Sequence, residues 1–376
     1  MATRRDFIKQ LSTVAGLGIA SSLGLSFRAT PVQAAPGLGD DWYVQEESLP
    51  QLRAFVAFGA QPAIWDDWTA DVQDCIARIA KAIAQFQPVT VLCRSNELAL
   101  AKRKCGTTNM RFLTTPLDDV WIRDSGANFA VDEQGGLYAI DFNFSGWGGK
   151  QQHANDAQVA SLMSSDAKAT YIRSQLTGEG GGIEVDGNGT AIMTESCWVN
   201  SNRNPGWSKA QVDAELKAML GLRKIIWLPG IKGKDITDAH VDFYARFVKP
   251  GVVIANLDND PASYDYAVTR THLEILKTAT DADGKRLQIH TLSPPRTLRS
   301  NKFTRDNPDF APGYINYFPV NGGIIAPQFG DASADAASKA LLEKLYPGRK
   351  VVQLNIDAVA AGGGGIHCVT QQQPRV

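Results

Sequence analysis

One short pattern recurs along this chain, and its spacing limits the folds open to it. A polar or charged residue is followed, five to nine residues later, by a glycine-containing turn and then by an apolar strand. Asp124 precedes Glu133-Gln-Gly-Gly136 and Leu137-Tyr-Ala-Ile140, and Glu179 precedes Asp186-Gly-Asn-Gly189 and Ala191-Ile-Met193. His240 precedes Lys249-Pro-Gly251 and Val252-Val-Ile254, and Asn316 precedes Asn321-Gly-Gly323 and Ile324-Ile325. Such turns supply the positive φ angles that tight hairpins need. With Cys368 as a fifth member, the intervals are 55, 61, 76 and 52 residues. A repeat of about 60 residues is long enough for a ββαβ unit, and the chain beyond position 34 divides into five of them. Five units set around an axis would bring Asp124, Glu179, His240, Asn316 and Cys368 to one central cavity. Hairpins with polar starts also occur in any α/β protein, so the spacing alone leaves an ordinary α/β arrangement open.

The connecting segments are helical. In residues 69–86, Val72, Ile76, Ile79, Ile83 and Phe86 recur at three-to-four spacing, and a buried strand, Val89-Thr-Val-Leu-Cys93, follows Pro88. Residues 209–220 with 224–228, and 336–345 with 350–354, repeat that order. Helices alternating with short apolar strands define an α/β protein. The 44% hydrophobic and 20% charged residues are those of a globular chain, and a net charge of −1 lacks the excess of basic residues that a nucleic-acid binder carries.

Residues 1–34 do not fit the repeat. Arg4-Arg5 precedes Phe7-Ile8-Lys9, an apolar run extends from Leu11 to Phe27, and Val32-Gln33-Ala34 offers a small-residue cleavage site. This is the pattern of a twin-arginine export signal, which delivers folded proteins to a bacterial periplasm. A membrane-anchoring helix is the alternative, but seventeen residues diluted by Gly, Ser and Thr are short for a span. Cleavage near Ala34 would remove four basic residues and one acidic residue, leaving 34 against 38, a balance suited to a cationic ligand. No stable membrane association is expected after cleavage. The five cysteines, Cys75, Cys93, Cys105, Cys197 and Cys368, show no zinc-site spacing and no CxxC. Their odd number leaves at least one thiol unpaired within the chain.

Three segments carry the chemistry. Asp235-Ile-Thr-Asp-Ala-His240-Val-Asp242 is the densest polar stretch; a strand over residues 239–243 would put His240 and Asp242 on one face. An imidazole and a carboxylate so placed suit proton transfer and cation binding, although a surface strand or part of a metal site fits as well. Leu117-Asp-Asp-Val-Trp121-Ile-Arg-Asp124-Ser-Gly126 sets three acids beside a tryptophan, as would a capped surface loop. Gly362 to Gly365 lets backbone approach a neighbour closely, three residues before Cys368. A thiol there is a candidate nucleophile, with a buried structural cysteine as the alternative.

These motifs resemble the agmatine deiminase and bacterial (Porphyromonas-type) peptidyl-arginine deiminase family of the guanidino-group modifying superfamily. The resemblance rests on DDVWIRDSG (118–126), FNFSGWGGK (142–150), EGGGIEVDGNGT (179–190), NSNRNP (200–205), TDAHVDFYARFV (237–248), YINYFPVNGGIIAPQFGD (314–331) and GGGGIHCVTQQQP (362–374). It covers the chain from about residue 110 to its end, and no functional residue is carried onto residues 35–110. It implies a five-bladed α/β-propeller (pentein) of ββαβ units over residues 35–376, with hydrolysis of a guanidinium to a ureido group and ammonia. Position by position, Cys368 would be the nucleophile, Asp124 and Asp242 would grip the guanidinium, and His240 would be the general acid and base. Glu179 would orient His240, while Asn316, Trp121 and Trp147 would contribute to substrate binding. The resemblance implies no metal and no organic cofactor, and the expected partner is a small cationic guanidine.

Three positions depart from the family pattern near the expected substrate mouth: Val56-Ala57-Phe58-Gly59 stands for Trp-Ala-Trp-Pro, Gly126-Ala127 for Gly-Pro, and Gly365 for Asn. Phe144-Ser-Gly-Trp-Gly-Gly149 lacks the arginines with which the protein-acting enzymes bind a peptide carboxylate, which favours agmatine or another small guanidine. Export favours the alternative, peptidyl-arginine, because polyamine synthesis is cytoplasmic. An amidinotransferase and a non-catalytic periplasmic guanidine-binding protein are the readings from other classes.

Overall fold

A computed structural model describes residues 42–376, and the twin-arginine segment lies outside the described residues. The strands form five separate sheets, each of three or four strands. Four of them repeat one order: an antiparallel hairpin, a helix and a strand parallel to the second hairpin strand. Thus Asn128–Asp132 pairs antiparallel with Leu137–Asp141, which pairs parallel with Thr170–Arg173 after the helix Val159–Ala167. Glu184–Val185, Thr190–Thr194 and Lys224–Leu228 repeat this arrangement, as do Ala245–Lys249, Val252–Asn256 and Gln288–Leu292. Phe318–Val320, Gly323–Gln328 and Lys350–Asn355 form the fourth set.

The fifth sheet joins the two ends of the described chain. Gln371–Pro374 runs antiparallel to Gln51–Phe58, which pairs parallel with Val89–Cys93 after the helix Thr69–Ala84. That helix buries Val72, Ile76, Ile79 and Ile83, the residues whose spacing predicts it. Lys209–Leu220 also forms as expected, with Ser208 and Gln211 making a capping box. The helix expected at residue 336 begins earlier, as Ala332–Leu345, because the Asp331 carboxylate accepts the Ala334 N–H and caps a turn that apolar spacing does not mark.

A larger difference falls at the densest polar stretch. Residues 239–243 are not a strand: Asp238 and Ala239 adopt φ of 60° and 69°, Val241–Phe243 is a helical turn, and the strand begins at Ala245. The Asp235 carboxylate causes this by accepting N–H bonds from Thr237 at 2.6 Å and Ala239 at 3.2 Å. Local side-chain bonds of this kind compete with strand pairing. The other repeat residues also sit on turns just ahead of a strand: Asp124 in Ile122–Ser125, Glu179 before Gly180–Gly182, and Cys368 in His367–Val369.

Buried amides hold neighbouring sheets in register. Gln87 donates to Gln51 Oε1 at 2.6 Å and accepts the Asn321 N–H at 2.8 Å, while Asn321 accepts the Gln51 N–H at 2.9 Å. Gln87→Ala leaves two of these groups without a partner in the interior. It is expected to cost about 1–3 kcal/mol of stability, read as a lower midpoint in urea unfolding; an unchanged midpoint would show that the network contributes nothing.

Candidate active site

Cys368 is only 5% exposed, and its Sγ lies 3.6 Å from Asp242 Oδ2 and 3.4 Å from Asn316 Nδ2. Asn316 organises the turn that carries it. Its Oδ1 accepts the backbone N–H of His367 at 2.9 Å and of Cys368 at 3.3 Å, while its Nδ2 donates to the Asp242 carbonyl at 3.3 Å. Gly365 has to be small here, because a Cβ on it would stand 2.8 Å from Asn316 Cγ. The family's asparagine at this position would displace the amide that orders the thiol.

The two aspartates differ in how they are held. Asp242 is fully buried, and Oδ2 accepts from His367 Nδ1 at 2.8 Å, whereas Oδ1 has no hydrogen-bond partner among the described residues. Asp124 accepts the Trp147 indole N–H on Oδ2 at 2.9 Å and the Gly181 N–H on Oδ1 at 3.1 Å. Gly181 is wedged between catalytic candidates; a Cβ there would lie 2.8 Å from Asp124 Oδ1 and against His240 Nδ1. Burial pushes Asp124 up to about 6, with Glu179 and Asp242 adding to the rise, while His240 and the Trp147 N–H hold it down. Burial opposes ionisation of Asp242 too, but the His367 bond together with the charges of His367, His240 and Arg246 outweighs it and the carboxyl stays below its ordinary range.

His240 completes the cluster. Its Nε2 is 3.1 Å from Glu179 Oε2, and its Nδ1 lies 3.6 Å from Asp124 Oδ1. Burial alone would favour the neutral ring, yet the Asp124 carboxylate, with Glu179, raises its pKa well above the usual value. The imidazolium is therefore available as an acid at neutral pH. Glu179 remains ionised despite complete burial because Arg203 Nε donates to both of its oxygens at 2.9 Å, which holds its pKa at about 2. Cys197 donates to Glu179 Oε2 over 3.7 Å. Although ligand atoms of Glu179, Cys197 and His240 fall within 4.8 Å of one another, the Arg203 guanidinium already neutralises that carboxylate and repels a second cation.

Burial raises the Cys368 thiol well above its ordinary pKa, and the charges of Asp242 and Asp124 raise it further. The Gly365 N–H and Asn316 side chain only partly offset this. A nucleophile so suppressed needs a positive charge nearby before it ionises. A cavity of about 330 Å³ reaches His240 and is walled by Trp65, Trp68, Phe243, Tyr264 and Gly363. Six aspartates line it, Asp66, Asp67, Asp235, Asp258, Asp265 and Asp309, against a single basic side chain other than His240, Lys234.

The turns thus bring together Asp124, Glu179, His240, Asp242, Asn316 and Cys368 from five segments. The two predicted tryptophans are absent from the cavity lining, as are Asp124, Asp242, Asn316 and Cys368. Trp121 donates to Asp119 Oδ2 at 2.8 Å with its ring against Gly364, and Trp147 supports Asp124. Val56, Ala57 and Phe58, expected near the mouth, are core strand residues. Sequence reading missed Glu47, Arg123, Arg203, Arg246 and His367. Four of these stand inside motifs already singled out: Arg123 in DDVWIRDSG, Arg203 in NSNRNP, Arg246 in TDAHVDFYARFV and His367 beside the thiol. Glu47 lies in a stretch without any motif. All five cysteines are free and buried.

Known proteins match this arrangement along nearly the whole described chain. The agmatine deiminase of Stutzerimonas stutzeri is 35% identical over 354 residues, covering 89% of this chain and 96% of the relative. The solved agmatine deiminase of Enterococcus faecalis superposes with a TM-score of 0.85 at 29% identity, covering 92% of this chain and 98% of that one. A Campylobacter jejuni agmatine deiminase with substrate bound superposes at 0.79 with 25% identity, covering 88% and 96%. The family description of Porphyromonas-type peptidyl-arginine deiminases matches residues 43–374. By this match and these identities, the chain is a member of the Porphyromonas-type peptidyl-arginine deiminase family, which its agmatine deiminase relatives share.

Proposed function

We propose that this protein hydrolyses the guanidinium group of agmatine, or of a closely related small cationic guanidine, to a ureido group and ammonia. The observation that carries this reading is the unpartnered, buried Oδ1 of Asp242, whose other oxygen lies 3.6 Å from the Cys368 thiol. A buried carboxylate oxygen without a donor is costly, and a planar guanidinium supplies donors in a fork that fits such an acceptor. Asp124 would take the other edge of the guanidinium. The substrate charge then removes the obstacle to ionisation, the thiol proton passes to solvent, and the Cys368 thiolate attacks the guanidinium carbon. His240 protonates the departing nitrogen, and ammonia leaves a thiouronium intermediate on Sγ. The neutral imidazole next takes a proton from water, whose oxygen attacks the same carbon; collapse, with the remaining hydroxyl proton passing to the departing sulfur, releases the ureido product and restores the thiol. Glu179, held by Arg203, stabilises the imidazolium in both steps.

The acidic cavity supports agmatine over peptidyl-arginine, since six carboxylates suit a substrate whose far end is an ammonium rather than a carboxylate. The relatives that are agmatine deiminases support the same choice. The five sheets, each preceded by one site residue, support a five-bladed propeller around a pseudo-five-fold axis. The paired arginines of residues 4 and 5 support export of the folded enzyme to the periplasm.

Ammonia and ureido product should form from agmatine, with Cys368→Ala lowering the rate by about 10⁴-fold or more. Free arginine should have a kcat/KM at least about tenfold below that of agmatine because its carboxylate meets the acidic wall. Equal or better turnover of an arginine peptide would move the assignment to protein citrullination. Transfer of the amidino group to an amine without ammonia would identify an amidinotransferase. Guanidine binding without any product would leave a binding protein.

The acid limb of kcat/KM should lie near pH 6, the value to which Asp124 is raised. Asp124 grips substrate only as a carboxylate, so activity falls as pH drops through that value. Trp147→Phe removes a donor that favours the ionised form and should move the limb to higher pH. A limb that stays in place would separate Asp124 from substrate binding.

A further inference from the structure

The residue next to the nucleophile has a more specific position than a spacer needs. His367 is 1% exposed and contacts a carboxylate through each ring nitrogen: Nδ1 lies 2.8 Å from Asp242 Oδ2 and Nε2 lies 2.9 Å from Glu47 Oε1. We propose that His367, braced by Glu47, is a positioning residue that ties up Asp242 Oδ2 and so presents Oδ1 to the guanidinium. This deepens the guanidine-hydrolase reading and rests on it.

Three observations carry the inference. A carboxylate rotates about a broad, two-fold torsion, so an unheld Asp242 could exchange its oxygens; the His367 bond makes them unequal. The other oxygen is also the one left without a partner among the described residues. Finally, the brace is itself immobilised. Arg123 Nη2 donates to Glu47 Oε1 at 2.7 Å, Arg246 pairs with Glu47 Oε2, and Arg123 Nε donates to the His367 carbonyl at 3.3 Å. Arg246 is in turn held by Glu184 at 2.7 Å.

The charges facing the ring are thus Asp242 and Glu47, with Arg123 and Arg246 behind Glu47 and Glu184 beyond them. Asp124 and Cys368 face Asp242 from the substrate side. Burial and the two arginines hold the His367 pKa below its ordinary value, while Glu47 and Asp242 oppose that. The ring's Nδ1–H is among the groups keeping Asp242 ionised. Without that donor the Asp242 pKa rises, and a second carboxylate joins Asp124 in titrating on the acid side of the activity profile.

Three substitutions test this. An asparagine side-chain N–H₂ can occupy the place of Nδ1, whereas a glutamine amide reaches only as far as Nε2. His367→Ala should raise KM for agmatine about tenfold or more, and its acid limb in kcat/KM should shift to higher pH and steepen toward two protons. His367→Asn should recover most of the lost affinity and the single-proton limb, while His367→Gln should behave like alanine. Recovery by glutamine as complete as by asparagine would reduce His367 to a filler and overturn the inference, as would an alanine variant with the parent's KM and limb. If the alanine variant does not fold, the contrast between asparagine and glutamine decides alone. A parent enzyme inactive on every guanidine would overturn the hydrolase reading along with the inference. An active parent with indifferent variants would overturn only the inference.

Discussion

The structure depends on a set of charges that are buried only because they neutralise one another. Glu47 accepts from Arg123 and Arg246 and lies against Nε2 of His367, and Glu184 takes the remaining edge of Arg246. Each ion taken from water costs several kcal/mol, and loss of one partner leaves another charge uncompensated, typically at about 3–5 kcal/mol. Glu47 stays ionised against the effect of burial because His367 and both arginines surround it. Burial pushes Glu184 up to about 8 even beside Arg246, so the cluster is balanced rather than rich in charge. Its members come from five separated segments, and none reaches a low-energy state until all have arrived. Those segments also carry Asp124, Asp242 and Cys368, which ties the geometry of the site to closure of the fold.

A second balance acts on the catalytic side. Glu179 has Arg203 on both oxygens and serves only His240, whereas Asp124 and Asp242 have no arginine or lysine bonded to them and face the thiol. The fold therefore places a buried arginine on Glu179 and leaves the two carboxylates beside the thiol without one. A suppressed thiol, two carboxylates without an arginine or lysine among the described residues and an imidazolium form an arrangement that a guanidinium would complete. The acidic wall around the cavity extends that preference outward to the rest of the ligand.

Much of this was legible in the chain. The helices Thr69–Ala84 and Lys209–Leu220 and the four hairpins follow from apolar periodicity and turn chemistry, which act between residues a few positions apart. The repeat spacing singled out Asp124, Glu179, His240, Asn316 and Cys368 before any contact was known. The expected strand over residues 239–243 failed because Asp235 bonds backbone N–H groups locally and forces left-handed geometry at Asp238 and Ala239. Alternation of side chains gave no sign of that competition. The roles of Trp121 and Trp147 were equally hidden, since an indole beside acids can bind a ligand or hold an acid in place.

By itself the sequence determined the α/β class and the ββαβ order and singled out candidates for the reacting groups, because periodicity, turn composition and motif spacing are local properties of a chain. Only the tertiary structure decided which carboxylate oxygen stays free, which acid receives an arginine and which tryptophans wall the cavity. Those choices depend on contacts across intervals as long as that from Glu47 to His367, 320 residues apart, and no local pattern encodes such a pairing. Glu47 is the clearest instance: unremarkable among its neighbours in sequence, it acquires its importance from two arginines and a histidine that meet it only when the last sheet closes.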